Sequence, residues 1–186
     1  PLKAELDRID AMKSTKDLAA VAARLHQING DPIFSFYITK DDKKPTEHAI
    51  ALNQGGLGLP DRDYYFNNDT RTVGIREAYQ KHLNRNFEII GESPVQARSF
   101  ADKILALEKD LAKASRTLEG LRDPYANYNK MSVTELSKLT PSFDWNVFFQ
   151  TAGLKNVDSV IVGQPEFFKQ VETSIQNTSL DVWKAY

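Results

Sequence analysis

The sequence predicts a mainly α fold, a single helical domain spanning residues 1–186 that resembles a helix bundle and carries one small β-hairpin. Three observations predict it. Ala97, Phe100, Ile104, Leu107, Leu111, Ala114 and Leu118 recur at alternating spacings of three and four, the stripe of an α-helix packed along one side. Alternation at spacing two is confined to Phe34, Phe36 and Ile38 and to His48, Ile50 and Leu52. Ser, Asp and Pro recur just before apolar helical patterns, where helix N-termini need them. No internal repeat, low-complexity tract or interdomain linker divides the chain.

In chain order, the opening "PLKAELDRIDAM" is an amphipathic, charged helical pattern. Residues 14–30 form the next helix. Ser14 and Asp17 have capping-box spacing, Leu18, Val21, Ala22, Leu25 and Ile28 share a face, and Asn29-Gly30 is a stop. The two period-two stretches then form a hairpin around a long polar loop, "KDDKKPTE". A glycine-rich loop follows at 54–66. Residues 69–91 return to helix with Ile75, Tyr79, Leu83, Phe87 and Ile90 on one face, and Ser93-Pro94 opens the striped helix. That stripe corresponds to about 24 residues and about 36 Å at 1.5 Å per residue. Residues 120–131 read as a loop, and Ser132 with Glu135 caps a short helix that Pro141 ends. Asp144 caps "WNVFFQTAG". "DSVIVGQ" is either a short strand or an extended buried link. Pro165 opens a helix with Phe167, Phe168, Val171 and Ile175 inward, and a last helix starts after Thr178-Ser179.

Composition excludes several classes of function. Apolar residues make up 41 % and charged residues 26 %, with a formal net charge of -1, so no nucleic-acid or anionic-membrane partner is expected. No apolar run is long enough to span a bilayer. The absence of cysteine removes disulfides and thiolate metal sites. The three histidines, His26, His48 and His82, are never four apart, so no helix offers an imidazole pair to a metal. His48 and His82 fall on apolar patterns and are expected half-buried. No Gly-x-Ser-x-Gly elbow occurs. Carboxylates such as Glu108 and Asp110 read as a solvated helix face.

The loop "QGGLGLPDRDYYF" has the glycines of a phosphate cradle without the rest of one. Gly56-Leu57-Gly58 lacks the third glycine of a dinucleotide loop, and no Gly-Lys-Ser/Thr is present. A stiff structural turn explains it better. The glycines permit positive φ, Leu57 and Leu59 turn inward, Pro60 fixes the exit, Asp61 or Asp63 accepts backbone N–H groups, and Tyr64, Tyr65 and Phe66 pack the loop down.

"LGLPDRDYYF" resembles the signature of the neprilysin-like zinc metallopeptidases, the M13 family of the neprilysin, endothelin-converting-enzyme and bacterial oligopeptidase type. "RDPYANYNKMSVTEL", "PSFDWNVFF" and "VIVGQPEFF" resemble further blocks of that family in the same order, and "FSFYITKDDKKPTEHAIALNQ" resembles the hairpin before the signature. The resemblance implies a parent that cleaves peptides with zinc held by His-Glu-x-x-His and a downstream Glu-x-x-x-Asp. This chain has no His-Glu pair. Glu119 and Asp123 have the second spacing by chance, and "YANY" at 125–128 does not replace the family's Asn-Ala-Tyr substrate grip. No catalytic, metal or substrate-binding residue is therefore carried over.

The resemblance implies the helical cap domain of such an enzyme, with zinc in the parent, the C-terminal catalytic domain of the same polypeptide as partner, and peptides as substrates. Starting at Pro1, and ending about two turns into "SLDVWKAY", the chain is expected to be a piece of a longer protein. Lack of cysteine suggests a bacterial member, with an exported or periplasmic place favoured over a cytoplasmic one. Two other readings stand beside it: a free-standing helical peptide- or protein-binding module, and an enzyme with a dispersed carboxylate site.

Overall fold

Local signals place the helix ends, and a computed structural model, which describes residues 2–186, shows them in use. The first helices are α1 (Leu2–Asp10) and α2 (Leu18–Gln27). Between them the Asp17 carboxylate accepts the N–H groups of Lys13 and Ser14 at 2.8 and 3.1 Å. Helix α2 stops as expected: Asn29 takes φ 63°, and Gly30 N–H returns to the Leu25 carbonyl at 2.9 Å. The turn comes one residue too early for Ile28, which is left exposed.

Strands β1 (Phe34–Asp41) and β2 (Lys44–Gln54) pair antiparallel, with Phe36 opposite Leu52 and Ile38 opposite Ile50. The expected long hairpin loop is instead a two-residue turn at Asp42-Lys43. Lys43 N–H donates to Asp41 Oδ1 at 2.9 Å and closes it. Pairing jumps from Lys40–His48 to Asp41–Lys44, so Pro45 lies in an irregular stretch where no ladder donor is needed.

The β element is also larger than a hairpin. Short strands β3 (Asn129–Ser132) and β4 (Ser159–Val162) complete a four-stranded mixed sheet in the order β1-β2-β4-β3. Strand β4 is parallel to β2, through Ala51–Ile161 and Leu52–Val162, and antiparallel to β3. Of the two readings of "DSVIVGQ", the strand is the one observed.

The remaining helices are α3 (Asp63–Phe66), α4 (Thr70–Ile89), α5 (Pro94–Ala114), α6 (Val133–Leu139), α7 (Trp145–Thr151), α8 (Pro165–Asn177) and α9 (Leu180–Ala185). Asp69, Ser93, Ser132 and Asp144 cap four of them, accepting from Thr72, Gln96, Glu135 and Val147 N–H. Glu135 returns the bond to Ser132 N–H at 2.8 Å, which completes the capping box.

The striped helix α5 buries Ala97, Ile104, Leu107 and Leu111 as the spacing predicts, while Phe100 is half-buried. It ends at Ala114, short of Leu118, which is 58 % exposed. Ser115 terminates it. Its hydroxyl bonds the Leu111 carbonyl at 3.0 Å, and the next N–H, on Arg116, leaves the helix for Gln54 Oε1 at 2.7 Å.

The core is organised on the sheet, not along a helix-only seam. Phe34, Leu52, Val160 and Val162 from the strands meet Ala23, Leu111, Leu136, Trp145, Phe148, Phe168 and Val171 from the helices. A smaller cluster of Leu59, Tyr65 and Ala112 joins the glycine loop to α5. Helix α4 buries none of its residues fully. Ile75, Tyr79, Leu83 and Phe87 are half-buried, and Ile90, just past its end, is exposed.

Candidate functional site

The glycine loop is where the sequence concentrates unusual residues, and it is held from below by one carboxylate. Glu108 lies on α5 one turn after Ile104 and three residues before Leu111, on the buried stripe, and it is 3 % exposed. Three donors converge on it: Tyr79 Oη at 2.7 Å and Gly58 N–H at 3.2 Å on Oε1, and Tyr65 Oη at 2.9 Å on Oε2. Tyr65 Oη also accepts Leu59 N–H at 3.1 Å. Burial pushes the Glu108 carboxyl above the usual range, against the opposing pull of the Tyr79, Tyr65 and Gly58 donors. Burial, followed by the nearby carboxylate, raises the Tyr65 and Tyr79 hydroxyls far above their ordinary value, so they serve as donors and not as bases.

Two glycines make this packing possible. Gly56 takes φ 66°, and a Cβ there would lie 2.6 Å from the Ile33 carbonyl oxygen. At Gly58 a Cβ would fall on the Tyr79 hydroxyl. The Tyr186 hydroxyl joins this corner, accepting Ile33 N–H at 3.0 Å and donating to the Gly56 carbonyl at 2.5 Å. Leu57 and Leu59 turn inward, Asp61 accepts Asp63 N–H at 2.8 Å, and Tyr65 is buried. The loop is thus a packed structural turn, as the sequence suggested.

A second polar node sits at the start of the loop. Gln54 donates its N–H to Gln164 Oε1 at 2.8 Å and its side-chain amide to the Arg116 carbonyl at 3.1 Å. The Arg116 guanidinium binds both oxygens of Glu166, at 2.5 and 3.1 Å, and the Ala126 carbonyl at 2.9 Å. Gln164 closes the node through Asn127 Oδ1 at 2.6 Å. A third fixes the hairpin tip. Asp41 is fully buried and accepts from Lys130 Nζ at 2.7 Å and Tyr128 Oη at 2.8 Å, so "YNKM" pins β3 to the hairpin. The Lys130 and Tyr128 hydrogen bonds hold the Asp41 carboxyl far below the ordinary aspartate range.

The histidines are dispersed. His26 is boxed by the rings of Phe34, Phe36 and Phe148 at 5.3–5.7 Å, with Nδ1 3.3 Å from Asp31. Burial lowers its pKa, against the opposing pull of Asp31. His48 and His82 are exposed, contrary to the half-buried positions expected of them. His48 lies near the irregular end of the hairpin, and His82 turns to Asn86 on the open side of α4. Glu119 and Asp123 are both exposed, and Asp123 accepts the N–H groups of Tyr125 and Ala126 at 2.9 and 3.0 Å to form a turn. Among the described residues no three His, Asp or Glu side chains gather to hold a metal.

Glu108 is the residue that sequence reasoning missed. Read with Asp110 as solvated, it lies at the i+4 position of Ile104 and i-3 of Leu111, and that spacing was the available signal.

Fold and polar nodes together define a mainly α domain on a mixed sheet, whose buried polar groups hold its own loops in place. The chain belongs to peptidase family M13, whose family model matches residues 1–186. Mouse endothelin-converting enzyme 1 is 32 % identical over 152 residues, covering 79 % of this chain and 20 % of that protein. Drosophila melanogaster neprilysin-3 is 31 % identical over 156 residues, covering 81 % of this chain and 20 % of its own length. The open state of Mycobacterium tuberculosis zinc metalloprotease Zmp1 superposes over 100 % of this chain and 29 % of its own, with a TM-score of 0.93 and 28 % identity. The chain thus spans about a fifth of the curated relatives it matches.

Proposed function

We propose that residues 1–186 are the non-catalytic helical cap of an M13 zinc metalloendopeptidase, enclosing a substrate chamber and limiting substrates to peptides. The observation that carries this reading is the full-length match to the family by a chain that spans 29 % of a structurally superposable zinc metalloprotease. The interior agrees with it. Glu108, Asp41 and Arg116 are each committed to hydrogen bonds or ion pairs that fix loops.

The zinc of such a parent does not fit the residues of this domain. A catalytic zinc takes three protein ligands and leaves one position open. Here one imidazole is enclosed by phenylalanines and the other two lie on separate elements. Zinc and peptide-bond chemistry belong in this reading to the partner catalytic domain of the same polypeptide.

The purified 186-residue chain is expected to retain no zinc after dialysis and to leave a fluorogenic peptide intact. Elemental analysis and a fluorescence assay measure both. One equivalent of retained zinc, or cleavage that a chelator stops, would contradict the non-catalytic assignment.

A further inference from the structure

His26 is a buried titratable side chain that neither the polar nodes nor the cap reading uses. It lies in the last turn of α2, and its side chain is 3 % exposed. Its two ring nitrogens have unlike surroundings. Nδ1 lies 3.3 Å from the Asp31 carboxylate, which assigns the proton of the neutral ring to that nitrogen. Nε2 is buried without a hydrogen-bond partner. The phenyl rings of Phe34, Phe36 and Phe148 that enclose the imidazole offer no oxygen or nitrogen to a second N–H. A proton taken up in acid goes to Nε2, where it makes a buried charge with an unsatisfied donor.

The charged groups around the ring do not relieve this. Helix α7 presents Phe148 and carries no charged residue. Strand β1 presents Phe34 and Phe36. Its Asp41 is taken up by Lys130 and Tyr128, and its Lys40 is exposed at the far end, opposite His48. On α2 itself, Arg24 is committed to Glu5 of α1 at 2.6 Å. Asp31, which is exposed, is the charged group that acts on the imidazole, and burial outweighs it, so the ring is held below the ordinary histidine value of 6.5.

The adjoining backbone is strained. Residues 28–33 link α2 to β1, and two of them, Asn29 and Ile33, take positive φ of 63° and 67°. For a β-branched residue such as Ile33 this is an outlier. Phe34 N–H reaches back to the Pro32 carbonyl at 2.7 Å, so Ile33 is the centre of a γ-turn of the rare, strained kind. The turn is held by its neighbours. Ile33 N–H donates to Tyr186 Oη at 3.0 Å, the same hydroxyl donates to the Gly56 carbonyl, and the Phe34 ring lies 5.3 Å from that of His26.

We propose that His26 and the 28–33 link form an acid-sensitive latch: a proton on Nε2 drives the imidazole out from among Phe34, Phe36 and Phe148 towards Asp31, and the link lets go of its γ-turn and of Tyr186. The step takes one proton from solvent and makes or breaks no other covalent bond. Acid thereby loosens the corner where the start of the sheet meets the glycine loop and α9. The latch is shut while the ring is neutral. Its contribution is fully present above pH 6.5 and is lost as pH falls below that value, levelling off below the lowered pKa of the folded chain. Glu108 acts with the opposite sign, since its contribution is lost as pH rises, so a loss in acid at this corner does not come from the clasp. The inference does not rest on the cap reading.

The test is an NMR titration of the 186-residue chain between about pH 7.5 and pH 5, the window around the ordinary histidine value. The His26 ring should titrate below 6.5, with Nε2 the bare nitrogen at neutral pH. Amide exchange, corrected for its intrinsic pH dependence, should rise at least about tenfold at Gly30 and Ile33, because a released ring that titrates normally gains up to about tenfold in population per pH unit. The Leu107 and Leu111 amides of α5 should stay protected. His26→Phe keeps a ring among the phenylalanines and removes the titrating nitrogen, so protection at Gly30 and Ile33 should no longer depend on pH. Asp31→Asn, at an exposed position, removes the group that favours the charged ring, so the His26 midpoint should move to lower pH. That readout stands even if His26→Phe fails to fold. Four results would overturn the proposal: a ring that titrates at or above 6.5, exchange at Gly30 and Ile33 that ignores pH, acid loosening that persists in His26→Phe, or a midpoint unmoved by Asp31→Asn.

Discussion

Glu108→Ala is expected to destabilise the domain by about 3–5 kcal/mol, since removing one partner of a buried charged group strands the others and each unpaired donor costs roughly 1–3 kcal/mol. The donors left behind are the Tyr65 and Tyr79 hydroxyls and Gly58 N–H, all packed under the glycine loop. Urea unfolding measures the loss. A loss below about 1 kcal/mol, the scale of an ordinary surface change, would mean that the clasp does not hold the loop. Glu108→Gln separates charge from shape. The carboxyl has a raised pKa in the fold, so its contribution to stability is fully present below the ordinary glutamate value of about 4.3 and is lost as pH rises through the raised value. The glutamine variant should lack that slope between acid and neutral pH.

Phe34→Ala is expected to cost about 3–5 kcal/mol, the range for deleting a buried aromatic side chain. Phe34 is fully buried at the start of β1 and touches more rings than any single helix supplies. Its centroid lies 5.3 Å from those of Trp145 and Phe148, 5.6 Å from Phe143 and 5.7 Å from Phe168. It therefore ties the sheet to α7 and α8 at once. Fluorescence of the two buried tryptophans, Trp145 and Trp183, in a urea titration reports the change, with the unfolding slope unaltered. Tyr125→Ala, at a residue 85 % exposed, serves as the reference and should stay within about 0.5 kcal/mol of the unaltered chain. Equal effects at the two positions would displace the aromatic cluster from the centre of the core.

Much of this architecture was legible because its signals are local. Ser93-Pro94, Ser132 with Glu135, and Asp144 announce helix starts through bonds made within three residues. The stripe on α5 and the phenylalanines of α8 repeat often enough for a period to show. What was missed depends on distant partners. Strand β3 is four residues, Asn129–Ser132, too short and too polar to alternate, and it exists because β4 pairs with it. Ser115 ends α5 where Gln54, more than sixty positions away, takes the Arg116 N–H. The hairpin looked open because "KDDKKPTE" is polar, yet Asp41 is held inside by Lys130 of β3 and by Tyr128 just before that strand.

Glu108 shows how a residue type misleads on its own. A carboxylate on a helix is usually solvated, but this one shares the buried stripe, and its donors come from the glycine loop and α4. Conversely, His48 and His82 sit on apolar patterns and are exposed, because the hairpin end and the outer side of α4 receive no covering layer among the described residues. The glycine loop was read correctly since its chemistry is steric. Gly56 and Gly58 leave room for Ile33, Tyr186 and Tyr79, and leucines at 57 and 59 go inward.

The cap role is tested most directly in the full-length parent by a disulfide engineered between this domain and the catalytic domain. This chain has no cysteine of its own, so the new pair reports without competition from this side. Turnover of a short fluorogenic peptide is measured with the bond formed and after reduction. If the domain gates a chamber, closing it blocks entry, turnover falls, and reductant restores it. Equal turnover in the locked and reduced forms would contradict the cap role.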